Sequence, residues 1–151
     1  MTVDALLAIL HHLAAFSLAA LLVAELVLVR PGIGAGEIRR FTRVDRLYGV
    51  AAAAVPLVGI GRLVFGAVPA EFYLLNAFFW TKIVSFGALA IISVLPTMRG
   101  VAWARAAATD AGFTVPDDEI RTVRRALHVE LAILPLIPIS AALMARGIGA
   151  L

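Results

Sequence analysis

At 151 residues, with 62% hydrophobic residues, 15% charged residues and a mean hydropathy of +1.00, the chain lies far from the soluble average of about 45–50% apolar. The absence of cysteine excludes disulfides, thiolate metal sites, iron–sulfur ligation and covalent haem attachment through Cys-x-x-Cys-His, so a metal centre would have to rest on His, Lys, Met or carboxylates. The net charge of +3 comes from arginines gathered at the ends of apolar runs, not from a basic stripe of the kind that binds nucleic acid.

Four runs are long enough to cross a bilayer core of roughly 30 Å as helices rising 1.5 Å per residue. The first spans about 5–29 and is stopped by Arg30-Pro31-Gly32; the second spans about 47–66. A third covers about 72–98, with Pro96 near its end, and a fourth covers about 126–146, closed by Arg146-Gly147. None shows the alternation of a β-strand. The start Met1–Asp4 lacks a basic segment, and the first run is long and carries two His and a Glu, so it reads as a retained span rather than a cleaved signal peptide. The expected fold is therefore all-α: a single-domain integral membrane four-helix bundle.

Arginine placement orients it. Arg30, Arg39, Arg40, Arg43 and Arg46 lie between the first two runs, and Arg99, Arg105, Arg121, Arg124 and Arg125 between the last two. The positive-inside rule puts those loops in the cytoplasm and both termini in the periplasm of a bacterial inner membrane. Asp117 after Pro116 reads as an N-cap, starting the fourth helix before the bilayer. Asp45, between Arg43 and Arg46, reads as loop neutralisation, Trp103 as an interfacial anchor, and Phe78-Phe79-Trp80 as an aromatic belt.

Ionisable residues inside a span mark candidate sites, because a charge near the bilayer centre costs at least about 2.5–3.5 kcal/mol on insertion scales. Counting rise from the nearer end places His11, His12 and Lys82 roughly 10 Å deep in the outer leaflet, with Arg62 shallower. Glu25, His128 and Glu130 form a second group near the cytoplasmic ends of the first and fourth spans. Each residue turns a helix by about 100°. On that basis His11 and Glu25 share a face, and His12 either flanks the same interior or turns to lipid. Lys82, Ser85, Leu89, Ser93 and Pro96 form one stripe. His128, Pro135 and Arg146 form another, with Glu130 pointing nearly opposite and reading as a residue that snorkels to the headgroups.

The outer group is the better candidate for chemistry. Neutral imidazole ligates haem iron, and helical membrane bundles can hold haem b without a covalent motif. His11 or His12 is the candidate axial ligand. Lys82 is a candidate second ligand or propionate partner, and Arg62 a propionate clamp. His128 lies roughly 15 Å or more away along the axis, which excludes one haem bridged by the first and fourth spans. Glu25 and His128 are candidates for carrying protons between the site and the cytoplasm, or for pairing with each other. The small residues Gly49, Ala52, Ala53, Pro56 and Gly59 allow either close helix packing or a flat ligand.

The strings LHHLAAFSLAALLVAELVLVRPG, RFTRVDRLYGVAAAAVPLVGIGRLVFG, NAFFWTKIVSF and RRALHVELAILPLIP resemble the successive spans of a bacterial family of four-helix membrane proteins of unknown function. More remotely, the chain is similar to the HemJ type of protoporphyrinogen oxidase. The shared features are an early membrane His, a Pro and Gly in the span after an Arg-rich segment, a Trp-to-Lys step and a Glu-to-Pro stretch near the end. This likeness implies haem b as cofactor and His11 or His12, Lys82 and Glu130 as functional positions. The fourth span departs from it, reading His128-Val129-Glu130 with Pro135 five residues on, where HemJ proteins carry Asn-Glu-x-Pro.

The reading is a haem b or tetrapyrrole-binding membrane protein engaged in electron transfer or tetrapyrrole oxidation, with Lys82, Glu25, His128 and Glu130 as candidate catalytic residues. Its expected partners are the lipid bilayer, an electron-transfer partner and a second copy, with no nucleic acid. A cofactor-free structural or partner-binding protein is the alternative. A small transporter fits less well, because the charged residues lie off the bilayer centre.

Overall fold

The computed structural model describes residues 2–150, and among these the chain is entirely helical apart from connections and one isolated β-bridge. The helices are α1 (Val3–Leu28), α2 (Ala35–Phe65), α3 (Ala70–Leu74), α4 (Ala77–Thr109), α5 (Asp117–Ile133) and α6 (Leu136–Ala145). Local chemistry sets their limits. The Thr2 side chain accepts the Ala5 N–H to start α1, and Pro31 with Gly32 at φ +76° turns the chain after it. Asn76 caps α4 by accepting the Phe78 N–H at 2.9 Å. Pro116 precedes α5, and Asp117, Asp118 and Glu119 fill its first turn, where the helix dipole favours negative charge.

Four spans long and apolar enough to cross a membrane result: α1, α2, α4, and α5 with α6 together. They pack as a ring in which α1 lies against α2 and α5, and α4 lies against α2, α5 and α6. Large apolar side chains cover the outside, with Phe16 70% and Ile91 75% exposed. Such a surface suits acyl chains and not water. This is a multi-pass membrane protein.

Several boundaries differ from the sequence reading: the second helix begins at Ala35, well before residue 47, and the third span's helix continues to Thr109, past residue 98. The third span does not run continuously from residue 72: α3 ends at Leu74, and Asn76 starts a new helix. The fourth breaks at Leu134–Pro135, where Pro135 and Pro138 cannot donate backbone hydrogen bonds. Pro116, not Asp117, occupies the N-cap of α5, and no side chain caps it.

Both termini meet at one end of the bundle, where the Ala67 N–H donates to Asp4 and Asn76 clasps the C-terminal segment. Asn76 Nδ2 donates to the Ile148 carbonyl at 3.1 Å, and the Ala77 N–H donates to Gly149 O at 2.9 Å. Gly149 is required there, having φ +84° and room for no Cβ, which would lie 2.6 Å from Phe78. At the other end, α2, α4 and α5 extend past the end of α1 as an arginine-rich layer. Its core holds Ile33, Ile38, Phe41, Trp103, Ile120 and Val123. Trp103 is not an interfacial anchor: it is 2% exposed, stacks near Phe41 at 5.8 Å between centroids, and donates to Glu119 at 2.7 Å. Arg99 pairs with the same carboxylate at 3.3 Å, and Arg124 closes α1 by donating to the carbonyls of Leu26 and Val29.

Candidate functional site

Near the end that carries the termini, α1, α2, α4 and α6 enclose a cavity of about 220 Å³. Its walls are chiefly apolar, including Val55, Leu63, Phe86 and Ile137, and its polar groups are His11 and Lys82. The His11 ring lies against α2 at Gly59, where an added Cβ would come 3.5 Å from its Cε1, an ordinary contact. His11 Nδ1 and Arg62 Nε are both buried without a hydrogen-bond partner of good geometry among the described residues, although the Val55 backbone approaches the His11 ring. Lys82 Nζ sits 5.1 Å from the Phe79 ring centroid, a cation–π distance, and His11, Lys82 and Arg62 lie within Coulombic reach of one another. Pro56, Ile60 and Ile83 are exposed along one wall, so the cavity opens sideways between α2 and α4 toward the surrounding medium.

The structure separates the two adjacent histidines. His11 turns inward, whereas His12 is exposed and its Nδ1 lies 2.6 Å from the Ala8 carbonyl of its own helix. Only His11 joins Lys82 and Arg62.

A second polar cluster lies fourteen residues further along α1, roughly 21 Å away. Glu25 of α1 and Glu130 of α5 are 2% and 0% exposed, and Tyr48 of α2 donates to Glu130 Oε2 at 2.8 Å. Asp45 is also buried, one turn from Tyr48, and accepts from Thr97 of α4 at 2.7 Å. Glu25 is within Coulombic reach of both Asp45 and Glu130. Oε1 of Glu25 and Oε1 of Glu130 have no partner among the described residues.

Here the structure corrects the sequence reading. Glu130 does not snorkel but is the more deeply buried residue of its helix, while His128 is exposed with Nδ1 2.6 Å from the Arg124 carbonyl. His128, Pro135 and Arg146 are all exposed, His128 on α5 and the other two at the caps of α6, not on one continuous face, and Glu25 lies near Glu130, not His128. The apolar pattern around these positions explains the reversal: Val123, Ala126 and Leu127 lead one helical turn into Glu130, and all four are buried. Asp45 is likewise no loop residue. Ile38, Phe41, Asp45 and Tyr48 recur at helical spacing along the buried face of α2, a signal that would have placed Asp45 and Tyr48 inside.

A family model described as Predicted membrane protein (DUF2214) matches residues 3–149. No curated protein and no solved structure shows significant similarity to the chain.

Proposed function

The chain belongs to this family of predicted membrane proteins, and from that premise we propose that the lateral cavity at the terminal end binds an amphipathic, anionic ligand of the tetrapyrrole class, with haem b as the leading candidate. The observation that carries the proposal is the meeting of His11 and Lys82, from two helices, in one apolar cavity, with Arg62 of a third within Coulombic reach of both and with His11 Nδ1 and Arg62 Nε left unpartnered among the described residues. An orphaned buried polar atom costs about 1–3 kcal/mol, and an occupant that satisfied both would remove that cost.

The donor set suits the group. His11 would supply an imidazole to the iron, Lys82 and Arg62 would supply cations for two propionates, and Gly59, Val55 and Phe86 would supply apolar walls. Bound haem would supply one-electron chemistry, whose potential responds to ligation and burial. These residues would orient the group, exclude water from it and neutralise its carboxylates. At about 220 Å³ the cavity is smaller than ordinary small-molecule sites of roughly 300–1,000 Å³, so a larger occupant would extend through the wall of exposed Pro56, Ile60 and Ile83. That opening faces the acyl chains, the route by which a lipid-soluble ligand arrives.

The positive-inside rule places the cavity in the outer leaflet of the membrane. The likeness of the spans to HemJ-type oxidases supports the ligand class, and oxidation of a tetrapyrrole is the reaction it suggests. His12 has no part in this reading, because it faces outward.

Protein purified in detergent from haem-replete cells is expected to show a Soret band that sharpens and shifts on dithionite reduction. A colourless preparation that also fails to take up added haem would refute the reading.

A further inference from the structure

The carboxyl cluster is too far along the bundle to touch a ligand in the lateral cavity, and nothing so far accounts for it. Burying an ionised carboxylate costs several kcal/mol unless a cation or several donors compensate. Here compensation is missing. The ion pairs found among the described residues are Arg30–Glu37 and Arg99–Glu119, both outside the cluster. Of the groups facing it, α2 contributes Asp45 and Tyr48, α4 the Thr97 hydroxyl, and α5 Glu130. Arg124 of α5 directs its guanidinium to the Leu26 and Val29 carbonyls, His128 is exposed, and Arg46 is exposed and reaches Asp45 alone. Among the described residues no group of three or more His, Cys, Asp or Glu side chains is arranged to hold a metal ion. The species that matches two bare carboxyl oxygens and no cation is the proton.

An entry route is present on one side. A second cavity, of about 350 Å³, lies between α2 and α4 toward the arginine-rich end, lined by Thr42, Asp45, Arg46, Thr97 and Arg105 among others. Asp45 thus borders that cavity while lying within Coulombic reach of Glu25 and Glu130. Toward the opposite end, Leu18 and Leu22 of α1 and Ala51 and Val55 of α2 are buried and apolar, and the buried polar groups on that side include the hydroxyls of Ser85 and Ser140.

We propose that Glu25 and Glu130, with Tyr48 between α2 and α5, form a proton-binding site that fills through Asp45 from the aqueous side at the arginine-rich end. Uptake adds one proton from water to a carboxylate and leaves hydroxide to the bulk; no electron moves. Such a site supplies charge compensation to any event in the membrane half of the bundle that changes charge, and it does not depend on the tetrapyrrole reading.

Infrared difference spectroscopy of the full chain in lipid nanodiscs tests it. At neutral pH the wild type is expected to show a carbonyl-stretch band of protonated buried carboxyl that moves to lower frequency in D₂O. Glu25→Gln or Glu130→Gln should remove intensity from that band. Asp45→Asn should keep the band but slow its response to D₂O. A wild-type spectrum without the band overturns the proposal whether or not the variants fold, as does a band that both glutamine substitutions leave intact. Equal deuterium response in wild type and Asp45→Asn overturns the entry route. Because haem uptake is read separately in the visible spectrum, failure of one reading leaves the other standing or falling on its own data.

Discussion

At the arginine-rich end, Trp103 packs on Phe41, the indole N–H and Arg99 share Glu119, and Arg124 closes the last carbonyls of α1; at the opposite end, His11 lines a cavity that opens sideways, and His11 and Arg62 keep nitrogens without a partner among the described residues. The same four spans build both. The first region follows the rules of a water-soluble core, in which apolar area is buried and polar groups are paired. The second lies where lipid surrounds the helices, so small residues and prolines set the contacts and packing leaves a gap. Paired, close-packed groups are therefore concentrated at one end and open space at the other.

Substitutions can break that division. Trp103→Ala removes the largest buried side chain of the first region and the indole donor to Glu119, leaving Arg99 as its partner, and it is expected to cost about 3–5 kcal/mol, read as unfolding by denaturant in micelles. Arg124→Ala leaves the Leu26 and Val29 carbonyls without their charged donor, at about 1.5–3 kcal/mol in the same assay. Gly100→Ala puts a methyl 2.7 Å from Phe41 Cε1 and should cost about 1–3 kcal/mol through overpacking. Gly59→Ala sharpens the contrast. Its methyl meets the His11 ring at an ordinary 3.5 Å, so stability should hold or rise by up to about 1 kcal/mol, while haem uptake falls because the cavity wall moves inward. If Gly59→Ala destabilised the protein as much as Gly100→Ala, the two ends would not differ as described.

The helices themselves are legible, since apolar length alone identifies spans, and of the stripe Lys82, Ser85, Leu89, Ser93 and Pro96, Ser85, Leu89 and Pro96 are buried, Lys82 lines the cavity, and half-buried Ser93 donates to the Ala90 carbonyl of its own helix. Their arginine-rich extensions are not. Ending the second span near Leu47 treated charge as a helix boundary, but a helix in water carries Arg39, Arg40 and Arg43 on its exposed side while Ile38 and Phe41 stay buried. For the same reason Asp45 was assigned to a loop. The orientation of α5 follows from its apolar face, Val123, Ala126 and Leu127, and not from depth. His11 and His12 are indistinguishable from sequence: adjacent residues differ by about 100°, and only the position of α2, whose Gly59 meets the His11 ring, decides which one turns inward.

That distinction gives the sharpest test of the central claim. Haem titration followed by absorbance should be run on the wild type, His11→Ala and His12→Ala, with circular dichroism confirming equal helix content. Wild type and His12→Ala are expected to saturate with the same Soret shift, and His11→Ala to lose it. Identical titrations for all three proteins, or loss with His12→Ala alone, would contradict the account.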